Sequence, residues 1–177
     1  MKAVIFLLAC VIGSISAVRC PSGWISSKRS SGWWCMKVYT GSLNQDDSEA
    51  KCKALDATLT GIENQSELEK VTDQGKTEML KTKWKFGYLR VGGERCSLND
   101  PIYWLDRRTV GTDGFKWAVG EPGQGSINGI PYNCVQIWLW VTGGYVTSRN
   151  HGEMLTNQCP TFNTDRYVGY VCGKVAT

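Results

Sequence analysis

The pattern of apolar and polar positions predicts two helices in the first half of the chain. The polar run Asn44-Gln-Asp-Asp-Ser-Glu49 offers capping side chains and acids, and the apolar positions after it, with Cys52 among them, recur at helical spacing. A second start, Asn64-Gln-Ser-Glu67, has the spacing of a capping box and precedes a helical apolar face that Gly75 interrupts. Cys52 is therefore expected to point from the first helix into the core.

Strand patterns precede and follow these helices. The segment from Cys20 to Tyr39 is typical of a small hairpin, and Gly-Pro-rich residues 120–131 fit neither a helix nor a strand. Loops of that length in compact domains are often functional. Runs of β-branched and aromatic residues predict further strands at 86–91, 102–105, 134–141 and 166–171. The predicted order is a hairpin, two helices, and then a half made of strands and loops.

The first residues have the layout of a secretory signal peptide. Lys2 precedes an uncharged run from Ala3 to Ile12, and small residues follow up to Ala17. The run is short against the ~20 residues that a membrane-spanning helix needs. We therefore expect residues 1–17 to be removed and residues 18–177 to form one secreted domain in an oxidising compartment, with no membrane partner.

Composition and charge favour a binding protein. Eight Trp, seven Tyr and 20 Gly against five Pro fit many short strands and tight turns around large aromatic side chains. The formal charge is +4, but the basic residues are scattered among acids, so no nucleic-acid partner is expected. The single histidine, His151, has no nucleophile motif near it and cannot form a zinc cluster, and we interpret it as a surface-loop residue. We expect no enzyme activity and no catalytic residue.

Eight cysteines are present, and seven remain once Cys10 is removed with the signal peptide. Their number in a secreted chain predicts a disulfide-stapled domain. The spacing alone leaves many pairings open. The seven are Cys20, Cys35, Cys52, Cys96, Cys134, Cys159 and Cys172.

A set of ordered motifs extends from Cys20 to Cys172. The motifs are Cys52 in the first helix, Ala57-Thr-Leu59 leading into Ile62-Glu-Asn-Gln-Ser-Glu67, Phe86-Gly-Tyr-Leu89, Gly114-Phe-Lys-Trp117, Asn133-Cys-Val135, Cys159 and Val171-Cys172. In this order they resemble a C-type lectin-like domain, in the longer form with an extra N-terminal disulfide hairpin. The resemblance implies an α+β C-type lectin-like fold with two helices, antiparallel sheets and a long ligand loop. It also implies the disulfides Cys20–Cys35, Cys52–Cys172 and Cys134–Cys159.

This pairing leaves Cys96 without a partner. Members of the family often carry an additional pair of cysteines in this stretch, and the chain shows only one of them. Two interpretations stay open. Cys96 could form an intermolecular disulfide, which would make the protein a homodimer with a structural or interaction role, or it could be a buried or capped single thiol.

The resemblance implies a place for calcium in the long loop. In sugar-binding members a Glu-Pro-Asn or Gln-Pro-Asp motif, a second Glu and an Asn-Asp pair hold the ion, which binds the sugar hydroxyls directly. Glu121 stands at the first position, but Gly123 replaces the Asn, Tyr132 replaces the second Glu, and Leu155 and Thr156 replace the Asn-Asp pair. Because calcium takes about 6–8 oxygen ligands, we expect no intact site and no cofactor.

An alternative keeps the calcium. Glu153 and Asn157 lie close to the altered positions in the sequence and could shift register to supply oxygen atoms. The protein would then be a calcium-dependent carbohydrate-binding lectin that uses Glu121 and these substitutes.

A sugar can also be held without metal, because its apolar face stacks on an aromatic ring. Alternation after Cys134 puts Trp138 and Trp140 on one face of a strand, although both faces are apolar and burial is the default. Two Trp beside the loop could form a platform for a glycan, and an extracellular protein ligand could use the same surface. The candidate ligand-binding residues are Glu121, Gln124, Asn128, Tyr132, Trp138 and Trp140.

One N-glycosylation acceptor is present at Asn64-Gln-Ser66, before the second predicted helix. A glycan on the amide nitrogen leaves the carbonyl oxygen of Asn64 able to cap the helix. We therefore expect a glycoprotein. The resemblance to small basic, aromatic-rich members implies a role in host defence, as in innate immunity, or in venom.

Overall fold

The computed structural model describes residues 19–141, 149–160 and 167–177, so the expected signal peptide 1–17 lies outside the described residues. Both predicted helices are confirmed. In chain order the elements are β1 (Ile25–Arg29), β2 (Gly32–Thr40), α1 (Gln45–Lys53), β3 (Thr58–Leu59), α2 (Gln65–Leu80), β4 (Phe86–Glu94), β5 (Tyr103–Trp104), β6 (Ser126–Ile127), β7 (Ile130–Pro131), β8 (Cys134–Trp140), β9 (Met154–Asn157) and β10 (Tyr167–Val175).

Each helix begins at an asparagine cap, as its sequence predicts. The Oδ1 atom of Asn44 accepts a hydrogen bond from the backbone N–H of Asp47 at 2.8 Å, and Oδ1 of Asn64 accepts from the N–H of Glu67 at 3.0 Å. The side chain of Glu67 accepts from the N–H of Glu63 at 2.9 Å. The Glu67 side chain is completely buried, where it pairs with the guanidinium of Arg29.

Helix α2 runs through Gly75 without a break, and this residue lets the helix approach the sheet. A Cβ atom at Gly75 would lie 2.7 Å from Leu89 of β4 and 2.8 Å from Leu139 of β8. Real Cβ atoms do not come that close to other carbon atoms. Gly75 has a low intrinsic helix propensity, but its lack of a side chain allows α2 to pack closely against the core.

Among the described residues, eight strands form one sheet and β6 and β7 form a separate hairpin. The predicted α+β fold is confirmed, and one parallel pair, β10 with β4, makes the sheet mixed. The other pairs in the sheet are antiparallel, and β10 lies between β2 and β4. The sheet order is β1-β2-β10-β4-β8-β9, with β3 paired to β10 and β5 paired to β4.

The predicted strands are all present, with different bounds. Strand β5 covers only 103–104 of the predicted 102–105, and β10 extends to Val175, while the predicted start at Arg166 lies outside the described residues. The segment 120–131 contains the β6–β7 hairpin, contrary to the prediction of no strand there. Its turn is Asn128-Gly129 with φ values of +53° and +76°, the left-handed pair that a two-residue hairpin turn requires.

Three disulfides join the elements, and their pairing agrees with the one that the resemblance implies. Cys20–Cys35 closes the N-terminal hairpin, and Cys134–Cys159 links β8 to the end of β9. Cys52–Cys172 joins α1 to β10 across a sequence separation of 120 residues. Closing a loop of that length removes about 4–5 kcal/mol of unfolded-state entropy in the chain-entropy model.

A buried charge network ties the hairpin to α2. The guanidinium of Arg29 donates to both carboxylate oxygens of Glu67, from Nε to Oε1 and from Nη2 to Oε2, each at 2.7 Å. Its Nη1 atom lies 3.3 Å from Oδ2 of Asp106, and its Cζ atom lies 4.8 Å from the centre of the Trp34 ring. The three charged side chains are fully buried. They must stay paired, since a buried charge without a partner is strongly destabilising.

Hydrogen bonds keep Asp106 charged within this network. Burial by itself raises the pKa of the carboxyl group, but the backbone N–H groups of Arg108, Thr109 and Gly61 and the Thr109 hydroxyl donate to it and hold its pKa below the ordinary value. The Gly61 N–H lies 2.7 Å from Oδ2. Asp106 therefore stays an acceptor for Arg29.

No helix of the described part of the chain is long and apolar enough to cross a membrane.

Candidate functional site

Three donors of the protein itself bond to one oxygen atom of the Glu121 carboxylate. Its Oε2 atom accepts hydrogen bonds from the backbone N–H of Gly123 at 2.7 Å, from the N–H of Thr156 at 2.9 Å and from the Thr156 hydroxyl at 2.8 Å. The peptide bond between Glu121 and Pro122 is cis. The long loop is thus fastened to β9 by the same carboxylate that stands at the first calcium-ligand position.

Arg95 places a positive charge beside this carboxylate. Its Nη1 donates to the carbonyl oxygen of Leu98 at 2.8 Å, and its Nη2 donates to the carbonyl oxygens of Gly123 and, at 2.9 Å, of Tyr132. Burial lowers the pKa of Arg95, and the nearby negative charge of Glu121 opposes that effect. The guanidinium therefore holds together three backbone segments of the loop region.

Four of the mapped calcium-ligand positions offer no side-chain carboxylate or amide, namely Gly123, Tyr132, Leu155 and Thr156. A Cβ atom at Gly123 would lie 3.3 Å from both Glu121 Oε2 and Thr156 Oγ1, so the hydrogen-bonded loop leaves little room for a side chain there. The ring of Tyr132 packs against the loop backbone, 3.0 Å from where a Cβ atom of Gly125 would lie. Leu155 is 4% exposed and packs with core aromatics. These residues do not fit a calcium site.

The two substitute ligands are bonded elsewhere. Glu153 accepts from the backbone N–H of Asn150 at 2.6 Å and from its side-chain amide at 2.7 Å. The Oδ1 atom of Asn157 accepts from the N–H of Gln158 at 2.8 Å, and its Nδ2 lies 3.4 Å from Oε1 of Gln136. None of these hydrogen bonds involves Glu121, so Glu153 and Asn157 interact with other parts of the protein.

The predicted tryptophan platform does not form as expected. Trp138 is 3% exposed and packs against Tyr88 and Phe86, with ring centres 5.0 Å and 5.6 Å away. Its ring cannot stack on a ligand, because both faces of β8 are covered by the rest of the fold. Trp140 is partly buried, and its backbone N–H donates to Nδ1 of His151 at 3.0 Å.

The two predicted ligand-binding residues Gln124 and Asn128 occupy different parts of the long loop, because the β6–β7 hairpin begins between them. Gln124 is exposed before the hairpin, and Asn128 is exposed in its turn, where the positive φ explains the residue type. The side-chain amide of Gln158 supports the hairpin from below through the carbonyl oxygens of Ile127 at 2.5 Å and Ile130 at 3.2 Å. Gln124 lines a surface groove, and Asn128 does not.

This groove, of about 780 Å³, lies between residues 95–102 and the start of the long loop. Pro122 and Gln124 line one side, and the rings of Phe115 and Trp117 also line it. We refer to it as the loop groove. The sequence motif Gly114-Phe-Lys-Trp117 already contained these two rings, but no local pattern shows that they face a groove and not the core.

The aromatic residues of the loop groove belong to a stacked ladder. Phe115 lies between Trp104 and Trp117, with ring centres 4.7 Å apart in each pair and interplanar angles of 16° and 15°. Trp104 is 8% exposed and forms the buried end, whereas Phe115 and Trp117 are partly exposed. Offset-stacked aromatic rings stabilise each other beyond their buried area. The ladder therefore holds two rings rigidly at the groove.

Three other predicted residues have defined places. Cys96 is an exposed free thiol, so a buried thiol is ruled out, and the intermolecular disulfide and the capped thiol both stay predictions. Asn64 is partly buried as a helix cap, and its glycosylation also stays a prediction. His151 is half-buried, not fully at the surface as expected. Burial lowers its pKa, with the charges of Lys76 and Lys116 acting in the same direction and Asp73 opposing.

Comparisons with known proteins agree with this architecture. Residues 18–101 match the family model described as C-type lectin domain-containing protein 141/158. No curated protein sequence matches the chain. A solved structure of the cow C-type carbohydrate-recognition domain of CD23, in the presence of GlcNAc2Man3 oligosaccharide, is similar with a TM-score of 0.62 and 21% identity, covering 91% of this chain and 99% of that one.

Two further solved structures are similar to this chain. A calcium-independent type II antifreeze protein has a TM-score of 0.61 and 20% identity, covering 92% of this chain and 99% of that one. Human lithostathine has a TM-score of 0.60 and 17% identity, covering 99% of both chains. At these identities the similarity shows the fold. The chain therefore has the C-type lectin fold, and its residues 18–101 match a C-type lectin domain family model.

Proposed function

We propose that this protein is secreted and binds an extracellular carbohydrate without calcium and without changing it chemically. The observation that carries the proposal is the hydrogen bonding of Glu121, whose Oε2 atom accepts from three donors of the protein. In a sugar-binding relative, calcium would organise this loop; here, hydrogen bonds of Glu121 to Gly123 and Thr156 hold it in place. A ligand can then be recognised by side chains alone.

The energetics support this arrangement. A calcium ion that took both oxygens of Glu121 would have to displace the N–H of Thr156 from Oε2, and a buried donor left without a partner costs about 1–3 kcal/mol. The ion would also need oxygen ligands that Gly123 and Leu155 do not carry. The charge of Arg95 would further oppose a divalent cation near its guanidinium.

Carbohydrate is favoured over other ligands by the chemistry of the loop region. Partly exposed aromatic rings lie next to exposed amide and carboxylate side chains, the combination that holds a sugar by its apolar face and its hydroxyls. The similarity to a carbohydrate-recognition domain is consistent with this class of ligand. An extracellular protein ligand is the competing occupant.

A printed array of neutral and anionic oligosaccharides tests the proposal. The mature chain is applied once in calcium and once in chelator. We expect binding to at least one glycan at equal strength in both buffers. Binding that disappears in chelator would overturn calcium independence, and no binding in either buffer would overturn carbohydrate recognition and favour a protein ligand.

A further inference from the structure

We propose that the loop groove is the site of recognition and that it takes a neutral hexose unit, packed on the Phe115–Trp117 end of the aromatic ladder. This inference rests on the proposed function and names where and how the glycan binds. The groove is separate from the position of Glu121, because Glu121 does not line it. Pro122 and Gln124 line it, so it lies beside the position where calcium-dependent relatives hold their sugar.

The first argument is the rigidity of the aromatic surface. Phe115 is held on one side by Trp104 and on the other by Trp117, at 4.7 Å in each case. Both rings pack against the hydrophobic core while part of their surface remains exposed. A ring that is already fixed loses little conformational entropy when a ligand packs on it, and this favours weakly binding ligands such as sugars.

The second argument is the set of polar side chains around these rings. Asn99, Asp100 and Gln124 are exposed and line the groove together with Thr112. Their side chains make no hydrogen bond or ion pair with the described part of the protein. Amide, carboxylate and hydroxyl groups can donate to and accept from the hydroxyls of a sugar.

The third argument is Arg95, which joins the two walls of the groove. It donates to Leu98 on one wall and to Gly123, next to Pro122, on the other. The residue is 4% exposed, and its Nε atom is buried with no partner among the described residues. The guanidinium keeps the groove open at a fixed width and leaves one donor beneath it without a partner.

The charge of the groove decides the class of sugar. Arg95 gives its Nη donors to backbone carbonyl oxygens, so these donors are not available to an anionic ligand in the groove. Asp100 carries an exposed carboxylate at the rim. An anionic sugar would meet this carboxylate as a like charge, whereas a neutral hexose can donate its hydroxyls to it. The volume of about 780 Å³ falls in the range of small-ligand sites, roughly 300–1,000 Å³.

The test repeats the chelator array with three variants of the mature chain. Gln124→Ala and Asp100→Ala remove rim groups that are exposed and bonded to no described residue, and Trp117→Phe narrows the ring surface while it keeps an aromatic packing partner. Trp33→Ala is the matched control, because Trp33 is 42% exposed on β2, far from the long loop in the chain. Circular dichroism and the thermal midpoint confirm that each variant is folded.

We expect printed oligosaccharides ending in mannose, glucose, galactose or N-acetylglucosamine to bind the unchanged chain. Trp117→Phe and Asp100→Ala should weaken that binding on the order of tenfold, and Trp33→Ala should leave it unchanged. Equal binding by all folded variants would overturn the groove as the site but leave the proposed function intact. Preference for sialylated over neutral glycans would overturn the class of sugar, and no binding by the unchanged chain would overturn both proposals.

Discussion

The Oε2 atom of Glu121 lies 2.8 Å from the hydroxyl of Thr156 and 2.9 Å from its backbone nitrogen. These contacts join the long loop to β9, across 35 residues of the chain. In the calcium-binding pattern, the same two positions carry ligands of one ion. Here hydrogen bonds link them directly, so the two parts of the site are held together by the polypeptide.

Removal of the Thr156 hydroxyl should loosen the long loop. Thr156→Val keeps the shape of the side chain and the backbone N–H but deletes a charge-assisted hydrogen bond to Glu121, so we expect a loss of about 1.5–3 kcal/mol in the free energy of unfolding. Thr156→Ser is the matched control, because it keeps the hydroxyl. Urea unfolding in chelator and in calcium measures both variants. A loss that calcium restores would contradict a metal-free loop.

The buried pair of Arg29 and Glu67 should matter far more than an exposed pair. Glu67→Leu leaves the Arg29 guanidinium without its bidentate partner, and we expect a loss of about 3–5 kcal/mol in the free energy of unfolding. Glu78→Leu on the same helix is the comparison, because Glu78 pairs with Lys81, whose side chain is 64% exposed. Such surface pairs contribute about 0–1 kcal/mol. Similar losses for both variants in urea unfolding would argue against the network.

The single histidine gives a pH-dependent signal. The Nδ1 atom of His151 accepts from the N–H of Trp140, which requires that this nitrogen carry no proton, and burial lowers its pKa below 6.5. Since the folded pKa is the lower one, the stabilisation is complete above the unfolded pKa of about 6.5 and is lost as the pH falls below it. Nuclear magnetic resonance titration of the one imidazole should give a midpoint below 6.5. A midpoint at or above that value would contradict the hydrogen bond.

The sequon at Asn64 can be separated from its capping role. Ser66→Ala abolishes the acceptor sequence but leaves Asn64 in place, so the glycan should disappear from the mass of the secreted protein without loss of the cap. Asn64→Ala removes both, and the lost cap should cost about 1 kcal/mol in addition. Mass spectrometry and urea unfolding of the two variants measure the effects. A mass for Ser66→Ala that differs from the parent only by the lost serine oxygen would show that Asn64 carries no glycan.

Structure that depends on neighbouring residues was predicted most reliably from the sequence. The caps Asn44 and Asn64 were predictable because a helix start depends on residues within one turn. The Asn128-Gly129 turn is an equally local signal of a hairpin, and the prediction that residues 120–131 fit no strand overlooked it. The disulfide pairing came from the resemblance, since spacing does not determine which cysteines meet.

Contacts between distant residues could not be predicted in this way. Arg29 meets Glu67 and Asp106 at separations of 38 and 77 residues, and nothing near any of them in the sequence marks a buried charge. The alternation of residues along β8 predicted which face of the strand Trp138 lies on. The same pattern does not show that both faces of β8 are buried by the rest of the fold. The donors to Oε2 of Glu121 include two backbone N–H groups, which have no sequence signature at all.

The thermal unfolding midpoint of the mature chain in chelator and in 10 mM calcium tests the central claim most directly. An extracellular site with a dissociation constant of about 0.1–1 mM would add roughly 1.4–2.7 kcal/mol at that concentration. For a domain of this size the midpoint would then rise by about 3 °C or more. We predict the same midpoint in both buffers, because Glu121 is already bonded to Gly123 and Thr156. A rise of several degrees in calcium would contradict the account.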